Sequence, residues 1–113
     1  MAKFPKYQLK KSVNQQFFWV LYAVNAEPIL SSSEMYVSKQ GATNSIISSK
    51  KNIADGNFIR KTSQNGYQYY FLQVASNGEE LGKSEMYNST QARENGIAAV
   101  KRDAPIAEVE DLT

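Results

Sequence analysis

The tetrapeptide Ser-Glu-Met-Tyr occurs twice, at 33–36 and at 84–87, 51 positions apart. It belongs to a longer echo. Set against itself at that offset, Tyr7–Ala54 aligns with Phe58–Pro105 without a gap, and 14 of the 48 pairs are identical. Roughly three would coincide by chance at ordinary residue frequencies. The identities include Lys10/Lys61, Asn14/Asn65, Leu21/Leu72 and Leu30/Leu81, and continue through the tetrads to Ser38/Ser89, Asn44/Asn95, Ile46/Ile97 and Lys50/Lys101. A whole structural unit is therefore duplicated. Two repeats, 7–56 and 57–113, fit within the size of one domain, and whatever one half forms the other should form too.

Each repeat reads as three strands and a helix. An alternating strand, Tyr7–Val13 or Phe58–Ser63, leads to a turn at Asn14-Gln15 or Asn65-Gly66. An aromatic strand comes next, Phe17–Val24 or Tyr67–Ala75, then a turn at 25–28 or 76–78 and a third strand ending in the tetrad. The period then changes to that of a helix. Ala42, Ile46, Ser49 and Ile53 share one helical face over 38–53, and Gly96, Ile97, Val100 and Ala104 share one over 89–104. Ser38 and Ser89 stand where N-caps belong. Ser45 and Gly96 are equivalent small mid-helix residues, and a glycine there costs about 1 kcal/mol of helix propensity. Close approach of helix and sheet would explain it. Pro105 stops the second helix, and Ile106–Leu112 alternates as a last strand.

Hairpins make neighbouring strands antiparallel, and neither helix can bury its apolar stripe alone. The expected fold is α+β: tandem β3-α repeats plus a C-terminal strand, an antiparallel sheet with both helices on one face, and pseudo-twofold symmetry. The first 11 residues carry Lys3, Lys6, Lys10 and Lys11 without an acid, whereas 103–113 carry Asp103, Glu108, Glu110 and Asp111 without a base. Either the first is a basic arm, or the two ends lie together in the sheet and attract.

These residues resemble the YegP-like family of small bacterial proteins. The shared wording is Asn77-Gly78, Leu81-Gly-Lys-Ser-Glu-Met-Tyr87 and Asn95-Gly-Ile-Ala-Ala-Val-Lys101. The likeness covers nearly the whole chain. The first repeat departs from the pattern at Ala26, where glycine is usual, and at Ser45–Ser49, where G-I-x-x-V is usual. The resemblance implies one sheet built from two β3-α-β units with exchanged terminal strands. It implies no activity, catalytic residue or cofactor.

The chain contains no Cys and no His, which removes disulfides, thiolate nucleophiles, imidazole catalysis and Cys/His metal sites. Its glycines form no phosphate-cradling pattern. We therefore expect no enzyme, no catalytic residue, no cofactor and no metal. No apolar run approaches the roughly 18 residues of a membrane span, and the lysines near the start precede no apolar stretch. The expected setting is the cytoplasm, as monomer or homodimer.

Two groups of residues remain as candidate sites. The central strands are apolar on both faces: Trp19, Leu21 and Ala23 against Phe18, Val20 and Tyr22, and Tyr70, Leu72 and Val74 against Tyr69, Phe71 and Gln73. With one face left open, Phe18, Tyr22, Tyr69 and Phe71, flanked by Lys10, Arg60 and Lys61, form a candidate binding strip for protein or single-stranded nucleic acid. The alternative is that the strip is core. The second group is the tetrads: Ser33, Glu34 and Tyr36 with Ser84, Glu85 and Tyr87. On a strand, Met35 and Met86 would point inward with Ser33 and Ser84, Glu34 and Glu85 outward, and each tyrosine would close the core where strand meets helix. A pair of glutamates close together would suit a small-ligand binder or a carboxylate enzyme. The leading expectation is a non-enzymatic binding protein that uses the aromatic face.

Overall fold

A computed structural model describes residues 3–113. In chain order the elements are β1 (Lys6–Lys11), β2 (Phe17–Tyr22), β3 (Pro28–Ser32), α1 (Lys39–Lys51), β4 (Phe58–Thr62), β5 (Tyr69–Val74), β6 (Glu80–Ser84), α2 (Thr90–Asp103) and β7 (Glu108–Asp111). Single 3₁₀ turns at Asp55–Asn57 and Ala104–Ile106 lead into β4 and β7. The strands form one seven-stranded sheet in the order β4-β5-β6-β3-β2-β1-β7. From the central β3–β6 pair, each repeat runs outward third, second, first. β7 has no counterpart on the far side.

The sheet departs from the expected pattern at one pair, since β7 runs parallel to β1. β7 comes after a helix rather than a hairpin, so no tight turn obliges it to reverse. The opposite charges of the chain ends do meet: Lys6 Nζ lies 2.8 Å from Glu110, and Gln8 donates to the same carboxylate at 2.9 Å. Lys39 pairs with Asp111 and holds its carboxyl down at about 2, and Lys50 donates to the Ala107 carbonyl.

Both helices form for the expected local reason. Ser38 Oγ accepts from the Gly41 amide and Ser89 Oγ from the Ala92 amide, each at 3.0 Å. Lys50, Lys51, Lys101 and Arg102 crowd the last turns, where the helix dipole favours cations. Both helices lie on one face. Phe71 and Gln73 project from the same side of β5, the first against Gly96 of α2 and the second bonded to Ser49 of α1. That side carries the core: Tyr7, Leu9, Trp19, Leu21, Leu30 and Phe71 beneath Ala42, Ile46, Ile97 and Val100. Among the described residues no helix is long and apolar enough to cross a membrane.

The duplication does not hold one frame throughout. The β1–β2 turn closes with Ser12 N–H to Gln16, whereas the β4–β5 turn closes with Ser63 N–H to Gln68. Tyr67 is thus an extra residue in the second turn. Beyond it the structural partners lie 52 apart, as in Trp19/Phe71 and Ser32/Ser84, whose serine hydroxyls accept from Trp19 and Phe71 amides. One residue fewer before Tyr87 restores the offset of 51, because Phe17 bridges to Tyr36 and Tyr69 to Tyr87. Within 16–32 the offset of 52 gives five identities (Gln16, Ala23, Asn25, Glu27, Ser32), against two at 51. The turn conformations obey the corrected frame. Ala26 at φ 72° occupies the place of Gly78 at φ 87°, and Gln15 at φ 68° that of Gly66 at φ 76°. The first repeat has lost the glycines and kept the left-handed turns.

Candidate functional site

Opposite the helices the sheet is bare. Paired residues run across six strands of this open face: Gln8, Val20, Ser31, Lys83, Leu72 and Ile59. Phe18 and Tyr22 flank Val20 on β2, and Tyr70 adjoins Leu72 on β5, all half-buried. Lysines lie over the rings. Lys10 Nζ donates to the Tyr22 hydroxyl at 3.1 Å, and Lys83 Nζ sits 4.9 Å from the centre of the Tyr70 ring. Lys61, opposite Tyr70, is exposed on the same face. An antiparallel sheet with one wet face ordinarily alternates apolar inside with polar outside. Here β2 and β5 are apolar on both sides.

Phe18, Tyr22, Lys10 and Lys61 of the expected strip occupy this face. Tyr69, Phe71 and Arg60 do not. Phe71 is fully buried and stacked on Tyr87 with ring centres 6.4 Å apart. Tyr69 faces α2, whose Arg93 guanidinium lies 5.5 Å from its ring centre. Arg60 forks onto Glu94 of α2 at 2.8–3.0 Å and reaches Asp55 at 3.2 Å. For Tyr69 and Phe71 the physical reason is the frame slip, since a shift of one residue turns a strand's side chains to the opposite face; Arg60 precedes the slip and faces the helices because it adjoins Lys61 on β4, where neighbours point to opposite sides. The true counterparts of Phe18 and Val20 are Tyr70 and Leu72.

Apart from Ser84, the tetrads lie outside the strands. β3 ends at Ser32 and β6 at Ser84, so strand alternation does not govern the residues beyond them. Met35 and Met86, expected inside, are 44% and 43% exposed. Glu34 and Glu85, expected on the open face or at its edge, are exposed in the segments between strand and helix. Ser84 accepts from Phe71 N–H at 2.9 Å and donates to the Glu85 carbonyl at 2.8 Å. In the first repeat Ser32 takes that role, and the Ser33 hydroxyl is buried without a partner among the described residues. Tyr36 and Tyr87 pack against the core. Each phenol is pushed upward first by burial, and further by two carboxylates: Glu34 and Glu79 at Tyr36, Glu85 and Glu27 at Tyr87. The tetrad glutamates therefore serve separate tyrosines, each joined by a glutamate of the other repeat.

A buried polar seam is the feature that strand and helix periodicity did not reveal. Ser45 Oγ accepts from Trp19 Nε1 at 3.0 Å and from the Tyr36 hydroxyl at 2.8 Å. One turn on, Ser49 bonds the Tyr7 hydroxyl at 2.7 Å and donates to Gln73 Oε1 at 2.6 Å, while the Gln73 amide donates to the carbonyls of Ser49 and Asn52. Burial pushes the Tyr7 phenol far up. Two serines four apart on the apolar face of α1 were the available signal. In α2 the same places hold Gly96 and Val100. A Cβ on Gly96 would lie 2.4 Å from the Tyr87 hydroxyl, so the glycine answers to that ring. Among the described residues no cluster of three or more Asp or Glu is placed to hold a metal.

The comparisons agree with this architecture. The family pattern described as a domain of unknown function, DUF1508, matches residues 12–58 and again 64–111. The chain belongs to this family. DUF1508 relatives include a UPF0339 protein of Bordetella pertussis, 44% identical over 108 residues that cover 95% of this chain and 96% of that one. The UPF0339 protein YegP of Escherichia coli K12 is 41% identical over the same share of each. Two solution NMR structures share the fold. The UPF0339 protein of Shewanella oneidensis superposes with a TM-score of 0.88 at 40% identity, covering 96% of this chain and 91% of that one. E. coli yegP, titled a protein of unknown function, gives 0.87 at 40% identity over 100% and 95%. No catalytic family is indicated for this DUF1508 chain, and its relatives are uncharacterised.

Proposed function

We propose that the protein is a non-enzymatic binding module whose open sheet face takes single-stranded nucleic acid. The carrying observation is the apolar outer side of β2 and β5, with Tyr22 and Tyr70 half-exposed beneath Lys10 and Lys83. Aromatic faces stack bases, ammonium groups above them meet phosphates, and both act without regard to sequence. Lys61 adds a cation at the β4 end. The absence of His and Cys, and the assignment of Glu34 and Glu85 to different tyrosines, support the non-enzymatic reading. The mirrored strand order about β3 and β6 supports an approximate twofold axis there, with the whole chain acting as one binding unit.

The test is fluorescence anisotropy with labelled oligo-uridine and oligo-deoxythymidine at 50 and 200 mM salt. We expect binding that weakens with salt, and a Tyr22→Ala/Tyr70→Ala variant of unchanged far-UV dichroism that binds at least tenfold more weakly. The expectation comes from about 1–3 kcal/mol per stacked base. Unchanged affinity in the variant, or no binding by the wild type at low salt, rejects the reading.

A further inference from the structure

On the helix side, away from the open face, a groove of about 550 Å³ runs between the β2–β3 hairpin and α2. The first repeat supplies one wall, with Glu27 and Ile29. The second supplies the other, with Glu85, Met86, Tyr87 and Gly96. Neither repeat forms it alone.

The duplication marks this groove. In the corrected frame 47 residue pairs remain and 16 are identical. Seven of the 13 groove-lining residues have an identical counterpart, against nine of the other 34 pairs. Some of the seven have local work. Asn25 and Asn77 accept from the amides of Glu27 and Glu79, and Asn44 and Asn95 bond Gln40 and Gln91. The glutamates have none. Among the described residues, the carboxylates of Glu27, Glu34, Glu79 and Glu85 join no hydrogen bond or ion pair, nor do those of Glu80 and Glu108, whereas Asp55, Glu94, Asp103, Glu110 and Asp111 all do. Met35 and Met86 are likewise retained and exposed. Two copies that diverged in their cores kept solvent-facing carboxylates and methionines that packing does not require.

We infer that the groove binds an organic ammonium ion, its charge between Glu27 and Glu85 and its carbon chain along Ile29, Met86 and the Tyr87 ring. The two carboxylates come from opposite walls and both act on Tyr87. The lining is mixed, and Ile29, Met86 and the Tyr87 ring offer an alkyl chain apolar surface that a hydrated metal ion would not use. Arg102, at the rim, is neutralised by its forked pair with Asp103 at 2.6 and 2.8 Å and does not repel the ligand. The Tyr87 hydroxyl makes no side-chain hydrogen bond among the described residues, because Gly96 stands where α1 has Ser45. Its twin, Tyr36, is committed to Ser45. Of the twin hydroxyls, that of Tyr87 is therefore the one left to meet a ligand.

The probe is n-butylammonium chloride, titrated into the isotope-labelled full chain and tracked by amide chemical shifts, with sodium chloride and magnesium chloride at matched ionic strength. The expected result is saturable shifts at Glu27, Glu85, Tyr87 and Gly96 that neither salt reproduces. Glu27→Gln/Glu85→Gln should weaken them at least tenfold, whereas Glu34→Gln/Glu79→Gln should leave them in place. Both pairs are surface changes, and dispersed amide spectra verify that each variant folds. Equal shifts from magnesium, or undiminished binding in the first variant, overturn the inference. Neither result touches the nucleic-acid reading, whose residues lie on the other side of the sheet.

Discussion

Beneath α1 the helix meets the sheet through hydrogen bonds; beneath α2 it meets the sheet through rings and bare backbone. Ser45 and Ser49 bind Trp19, Tyr36, Tyr7 and Gln73. Gly96 and Val100 leave that space to Phe71 stacked on Tyr87. One ancestral contact has been solved twice, once by satisfying buried polar groups and once by removing them. Gln73 shows that the two solutions are not independent, because a strand residue of the second repeat completes the seam of the first.

The largest expected effect tests whether the two cores are equivalent anchors. Trp19→Ala and Phe71→Ala should each destabilise by about 3–5 kcal/mol in chemical denaturation, as truncation of a buried aromatic does. Phe18→Ala on the open face should cost about 1 kcal/mol or less. If Phe71→Ala costs no more than Phe18→Ala, the placement of β5 is wrong.

Gln73→Leu comes next. Leucine is the counterpart at position 21, so the shape suits the frame. The change removes the donor to the Ser49 and Asn52 carbonyls and should cost about 1–3 kcal/mol in the same denaturation measurement. A neutral outcome would mean that the seam does not hold the first repeat.

The third comparison is one of acid. Asp103, the last residue of α2, ties that helix to the β2–β3 turn by accepting from Val24 N–H at 3.2 Å, and its counterpart in the first repeat is Asn52, just after α1. Its carboxyl is held below 3.8, chiefly by Arg102, so its stabilisation is complete above the unfolded value and is lost as pH falls through the lower folded one. Asp103→Asn should flatten the acid limb of the stability–pH curve below about pH 4. A limb of unchanged slope would remove Asp103 from the account.

The smallest effect concerns the turns. Ala26→Gly relieves a left-handed alanine and should stabilise by about 0.5–1 kcal/mol, whereas Gly78→Ala should destabilise by a similar amount. Paired thermal melts of the two variants check this, and a shift of the same sign in both would contradict the corrected frame.

Much of this was legible in the residues. The repeated tetrad announced the duplication, Ser38 and Ser89 placed both helix starts, and alternation, aromatic runs and turn residues together found every strand. What failed was the side on which β5 shows its residues. A single inserted residue, Tyr67, with its compensating loss before Tyr87, is invisible to a gapless alignment, yet it inverts the face of every residue between. Strand alternation was also carried past Ser32 and Ser84, where the backbone leaves the sheet, which misplaced Met35 and Met86. Gln73 could not be recognised as buried, because its partners sit on the other repeat's helix.

Two triplets of strands make six, and the chain lays down seven. The odd strand guards the rim beside β1; the rim of β4 keeps its outward amides and carbonyls, those of Arg60 and Thr62, for water. Any lengthening of this sheet, by a neighbour's strand or by mishap at high concentration, finds a five-residue seat there, and at the far rim only the four residues of β7, three of them acidic.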